Sequence, residues 1–164
     1  MGSTIVCAVD SEDEGARQPL SVGADLARRL GLPLVVAYVA PSGRFVAGGP
    51  PDLGEAAVVA PAPGLPYPYP IVPDAAELDM IREEARRRIE QLLAQWGTDD
   101  AQVEVALDAT IADGLRRIAV DRDAELLVVG SRGRGTVRAA LLGSTSHALV
   151  ADAPCPVVVV PPSD

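Results

Sequence analysis

The chain has 164 residues, with 14 Arg and no Lys against 23 Asp and Glu, a net charge of −9, and a single His, His147. Without Lys there is no Gly-Lys-Ser/Thr phosphate loop and no Schiff-base chemistry, and one imidazole excludes any zinc site that needs two. An acidic chain is poorly suited to nucleic acid or to anionic membranes, so an anionic ligand has to be met locally, by Arg and by backbone N–H groups.

The length suits one α/β domain, and 1–164 is read as such. Cys7 and Cys155 are too few for a disulfide framework, and Cys7 lies in an apolar run that suits a core position. No basic leader precedes the first apolar run, and no apolar stretch approaches the roughly 18 residues of a membrane span. The expected location is cytoplasmic.

The first predicted strand, Thr4–Val9, runs into Asp10-Ser11-Glu12-Asp13-Glu14. This acidic turn reads as a solvated cap on a helix over Arg17–Leu30; the alternative is a divalent cation held by its carboxylates. Gly31 ends the helix and Leu34–Val39 is the second strand. Residues 41–75 hold nine of the 15 Pro and five of the 15 Gly, a composition that excludes helix and central strand. Two readings stay open there: a lid or polyproline docking segment, and an irregular connection. Tyr67 and Tyr69 either stack on a base or pack the loop.

A helix over Asp74–Trp96 follows from Leu78, Ile81, Ala85, Ile89, Leu92 and Trp96 at steps of three and four. Asp74 and Glu77 form a capping box, and Gly97 is the stop. Arg86, Arg87 and Arg88 read as a solvated face paired with Glu83, Glu84 and Glu90. Gln102–Leu107 is the third strand. A helix capped by Thr110 covers Ile111 to Val120 and buries Leu115, Ile118 and Ala119. Strands Glu125–Val129 and Pro156–Val160 bracket a short helix that begins near Ser144, which is itself a good N-cap residue. Strands apolar on both faces, alternating with helices, predict a doubly wound parallel sheet with helices on both faces. Such a sheet binds ligands beyond the strand C-termini, where the winding reverses.

The segment between the fourth strand and the last helix is the informative one. From Gly130 to Ala151 it carries Arg132, Arg134 and Arg138 and no carboxylate. Gly130, Gly133 and Gly135 permit close backbone approach, and Gly143-Ser144-Thr145 opens a helix whose N–H groups suit phosphate. The Rossmann fingerprint is absent, since the first βα turn is acidic.

This segment resembles the universal stress protein family, whose nucleotide-binding members carry G-x2-G-x9-G-[S/T]. Gly130, Gly133, Gly143 and Ser144 match that spacing in full. Val6-Cys-Ala-Val-Asp10, Val35-Val-Ala-Tyr-Val39 and Ala153-Pro-Cys-Pro-Val-Val-Val-Val160 are similar to its first, second and last strands. The likeness spans nearly all of the chain outside 41–75. It implies a five-stranded sheet of order 3-2-1-4-5, bound ATP with Mg or Mn as companion cation, and a homodimer through Val157–Val160. It further implies that Val9, Asp10 and Ser11 line the nucleotide site, with Asp10 in contact with the ribose, and that the Val39 backbone meets adenine. Gly130 would flank the ribose, and Arg132, Gly133, Gly143, Ser144 and Thr145 would hold the phosphates. Two segments depart from the family: Asp108-Ala109-Thr110-Ile111 stands where Gly-x-Pro is common, and Ser11-Glu12 replaces Gly-Ser.

Nothing here demands catalysis. His147 reads as a helix surface residue, and no G-x-S-x-G elbow exists. The expectation is an ATP-binding stress-response or regulatory protein with at most slow ATP hydrolysis. The alternatives are a nucleotide-free dimeric module of the same fold, or an adenylyl-transfer or flavin-binding relative.

Overall fold

A computed structural model describes residues 2–9, 14–41, 74–98, 100–131 and 142–161. Nine elements follow in order: β1 Thr4–Ala8, α1 Glu14–Leu30, β2 Leu34–Pro41, α2 Ala75–Trp96, β3 Gln102–Asp108, α3 Ile111–Asp121, β4 Ala124–Gly130, α4 Ser144–Ala151 and β5 Val157–Val160. The strands form one parallel sheet of order β3-β2-β1-β4-β5, as the resemblance implies. The Pro-rich expectation at 41–75 falls almost wholly outside the described residues.

Alternation along the strands divides the core into two layers. Ile5, Cys7, Val36, Val103, Val105 and Val128 pack with Leu20 of α1 and Ile89 and Leu93 of α2. Val6, Val35, Ala37, Val39, Leu127 and Val129 pack with Leu115 and Ile118 of α3 and Leu149 of α4. Helices therefore cover both faces, which is why the strands tolerate apolar residues at consecutive positions. Burial pushes the Cys7 thiol up to about 12, so it acts as a small apolar packing group. Among the described residues, no helix is long and apolar enough to cross a membrane.

The helix ends follow local chemistry. In α2 the Asp74 carboxylate accepts the Glu77 N–H at 2.9 Å while Glu77 accepts the Asp74 N–H at 3.0 Å. Gly97 closes that helix at φ 69°, a left-handed conformation that Gly adopts without a Cβ penalty. In α3 the Thr110 hydroxyl accepts the Asp113 N–H at 3.1 Å. The first helix starts earlier than expected, at Glu14, which places Pro19 in its second turn at the cost of one backbone hydrogen bond. Arg87 and Arg88 pair with Glu83 and Glu84 as expected. Arg86 does not join them: it leaves the α2 surface and donates to the Val103 carbonyl of β3 at 2.9 Å.

Helix α3 approaches β2 closely because residue 114 has no side chain. A Cβ on Gly114 would stand 2.5 Å from Val39 Cγ1 and 3.3 Å from Asp108 Cβ. Val39 is buried and β-branched, so it has little room to yield. Gly114→Ala is expected to destabilise the protein in urea by about 1–3 kcal/mol through overpacking, despite Ala's better helix propensity. In a Val39→Ala background the same change should cost less, giving a coupling of about 0.5–3 kcal/mol in a double-mutant cycle. A cycle without coupling would refute the close-approach account.

Candidate functional site

The winding reverses between β1 and β4, which pair directly. The crossovers through α1 and α2 lie on one face, and those through α3 and α4 on the other. A crevice is therefore expected beyond the C-terminal ends of β1 and β4. Val9 and Gly130 each lie two residues past the Cys7–Val128 pair and flank this position. Val39 belongs to the adjoining end of β2.

The backbone at this end has a defined direction. The N–H groups of Ile5 and Val9 donate to the carbonyls of Pro33 and Ala37, both at 2.9 Å. In a parallel pair alternate residues face the same neighbour, so the next β2 carbonyl on that side belongs to Val39. It lies beyond Ala8, the last residue of β1. The Val39 side chain is buried against α3, leaving its peptide as the group that faces the crevice.

On the β4 side the chain is pinned as it leaves and as it returns. The Ser131 N–H donates to the Val160 carbonyl at 2.7 Å, and the Ser131 carbonyl accepts the Gly143 N–H at 2.7 Å. Ser131 and Gly143 are thus joined directly by one hydrogen bond. Ser146 adds a third tie: its hydroxyl donates to the Gly130 carbonyl at 2.6 Å, and both Ser131 and Ser146 are buried.

Helix α4 begins at Ser144, as expected. Its N-cap is Gly143, not Ser144, and no side chain caps it. The first intrahelical bond runs from the His147 N–H to the Gly143 carbonyl at 2.9 Å. The N–H groups of Ser144, Thr145 and Ser146 precede that bond and form the positive end of the helix. His147 itself is exposed, as its surface reading requires. At the far end of α4, Arg116 of α3 donates to the Ala148 carbonyl at 2.9 Å and also bonds the Asp152 carbonyl. That guanidinium complements the negative end of the helix and fixes its direction.

The structure therefore brings together Val9, Val39, Gly130, Gly143, Ser144 and Thr145 at one end of the sheet. Asp10, Ser11, Arg132 and Gly133 lie outside the described residues, as does most of the acidic turn. In the segment that departs from Gly-x-Pro, Asp108 accepts the Ala109 N–H at 2.8 Å and pairs with Arg117 at 3.1 Å, and Thr110 caps α3. Ser131, Ser146 and Arg116 escaped the sequence reading. Their roles depend on backbone carbonyls brought close by the fold, for which no residue spacing is diagnostic. Cys155 sits just before β5; partial burial, and then the Glu125 carboxylate, push its thiol upward.

The family model described as "Universal stress protein family" matches residues 54–161. A universal stress protein of Thermus aquaticus is 34% identical over 103 residues, covering 57% of this chain and 73% of that protein. A universal stress protein of Mycobacterium tuberculosis is 45% identical over 47 residues, covering 29% of this chain and only 16% of its own length. The UspA structure from Lactobacillus plantarum has a TM-score of 0.61 at 22% identity, covering 96% of this chain and 97% of the other. An Archaeoglobus fulgidus universal stress protein in complex with dAMP has a TM-score of 0.57 at 19% identity, with 98% of each chain covered. A universal stress protein in complex with cAMP has a TM-score of 0.53 at 18% identity, covering 99% of this chain and 98% of that one.

The Ser146 tie yields a stability test. Ser146→Ala leaves the half-buried Gly130 carbonyl without its hydroxyl donor and should cost about 1 kcal/mol in urea unfolding. An unchanged midpoint would mean that the hydroxyl does not hold the two elements together.

Proposed function

This chain belongs to the universal stress protein family, and from that premise we propose that it binds an adenine nucleotide, ATP with Mg or Mn, as a stress-response or regulatory ligand. The observation that carries the reading is the α4 N-terminus, which no side chain caps and which the Gly143–Ser131 hydrogen bond holds at the C-terminal end of β4. Phosphate oxygens suit the N–H groups of Ser144, Thr145 and Ser146, because N–H donors and the helix dipole both favour an anion there. The hydroxyls of Ser144 and Thr145 add donors. The Val39 peptide suits the adenine edge, where a backbone carbonyl accepts from the exocyclic amine. Asp10 and Ser11 are assigned to the ribose side, and Arg132 and Gly133 to the phosphates, on motif position alone.

ATP is favoured over a mononucleotide because Arg132, Arg134 and Arg138 fall in a stretch without carboxylates, which suits several phosphate charges. The complexes of family structures with dAMP and cAMP support the adenine part of the reading. The nucleotide is assigned as a ligand that biases a partner surface. Hydrolysis, at most slow, is not required by it.

The protein purified without added nucleotide should carry ATP or AMP in native mass spectrometry. Gly143→Leu, which puts a branched side chain at the start of α4, should abolish that mass while leaving the far-UV circular dichroism unchanged. A ligand-free wild type that also ignores added ATP-Mg would refute the reading.

Self-association is assigned to β5. Leu127 donates to the Pro156 carbonyl at 3.0 Å and Ser131 donates to that of Val160. Even-numbered residues of β5 thus face β4, and Val157 and Val159 face outward. A two-fold pairing of this edge would be antiparallel and isologous. Light scattering at micromolar concentration should give the mass of a dimer, and Val159→Pro, which removes an outward N–H, should give a monomer. A monomeric wild type would count against the pairing.

A further inference from the structure

The two edges of the sheet are not alike. On β2, Leu34, Val36, Tyr38 and Ala40 face β3, because their odd-numbered neighbours face β1. The β2–β3 register pairs Val36 with Val103 and Tyr38 with Val105, so even-numbered residues of β3 bond β2. The peptides of Val103, Val105 and Leu107 therefore point away from the sheet.

Two guanidinium groups meet these outward peptides. Arg86 of α2 donates to the Val103 carbonyl at 2.9 Å, and Arg117 of α3 donates to the Leu107 carbonyl at 3.3 Å. The two helices lie on opposite faces of the sheet, so the arginines reach the edge from opposite sides and hold opposite ends of it. Arg117 is steadied by Asp108 at 3.1 Å. On β5, among the described residues, no side chain bonds the outward peptides of Val157 or Val159.

We propose that Arg86 and Arg117 guard the β3 edge against strand addition by a second copy of this chain, confining self-association to β5. This rests on the β5 pairing assigned above. A β5 edge serves one partner at a time, so the risk being blocked is exchange, in which the β5 of a copy leaves its dimer for the β3 of another. All five strands are parallel, so β5 of one copy laid along β3 of another in the same direction would continue the sheet. That contact is heterologous and does not close, so it grows into a filament. To dock, the outward N–H groups of Val157 and Val159 need two successive outward carbonyls of β3. Every such register takes the Val105 carbonyl together with that of Val103 or that of Leu107. One arginine stands in each register, and its aliphatic stem covers the strand beside it.

The test is the double variant Arg86→Met/Arg117→Met, which keeps the stems and good helix propensity while removing both donors. Its weight-average mass in light scattering should climb with concentration past twice the wild-type value, with unchanged far-UV circular dichroism. Adding Val159→Pro should abolish the growth, since the filament needs the β5 donors. A double variant that keeps the wild-type mass at every concentration overturns the guard. Growth that ignores Val159→Pro also overturns it, because aggregation of misfolded chain does not need β5. A monomeric wild type beside a growing double variant would sink the β5 dimer and leave the guard standing.

Discussion

Strand β1 has no free group, and the rest of the architecture depends on that. Its Ile5 and Cys7 are buried on one helical layer and Val6 on the other. Its peptides are bonded to β2 on one side and β4 on the other. A strand saturated in four directions leaves nothing to a ligand except its C-terminal end. The chain winds outward from it through β2 and β3 on one side, then returns past it to β4 and β5 on the other. The reversal forces two neighbouring strand ends to diverge into helices on opposite faces. The crevice at Val9 and Gly130 is the geometric result, before any side chain at the site is considered.

The peptide of Ser131 carries this geometry to the outer part of the molecule. Its N–H holds the last residue of β5, and its carbonyl holds the first turn of α4 through Gly143. A shift of β5 against β4 therefore moves the same peptide that holds the start of α4. The Ser146 hydroxyl, bonded to Gly130, stiffens the connection. The surface assigned to a second copy and the surface assigned to the nucleotide thus share one rigid element, the physical condition for coupling between them.

Most of the fold was legible because burial writes itself into periodicity. Runs such as Leu126–Val129 announce strands covered twice, and the spacing in Asp74–Trp96 announces one apolar helix face. The Asp74 box and Gly97 were legible as caps because capping acts over three or four residues. Gly130, Gly143 and Ser144 were legible as a set through their spacing, and the fold brings their ends of the chain together. What escaped was non-local. Ser146 matters through the Gly130 carbonyl and Ser131 through the Val160 carbonyl, both distant in the chain, and Arg116 through a helix end not yet formed when its own helix is read. Arg86 was misread for the same reason. On a helical wheel it belongs with Arg87 and Arg88, and only the position of β3 separates it from them. Gly143, not Ser144, takes the N-cap position of α4, and the helix itself begins at Ser144.

The lysine-free composition now has a structural counterpart. Lys offers a point charge, whereas Arg offers a planar fork that serves a carbonyl and a carboxylate at once. Arg116 spans two carbonyls of α4 and the Asp113 carboxylate. Arg117 spans the Leu107 carbonyl and Asp108. Arg122 spans Gln102 and Glu104 of β3. Each ties a helix to a terminus or an edge, a use in which the second donor matters as much as the charge. The cations of α2 outside Arg86 are paired with carboxylates one turn away, which contributes little to stability but leaves no excess positive charge there. Arg132, Arg134 and Arg138 differ from these in sequence, since no carboxylate lies between Gly130 and Ala151.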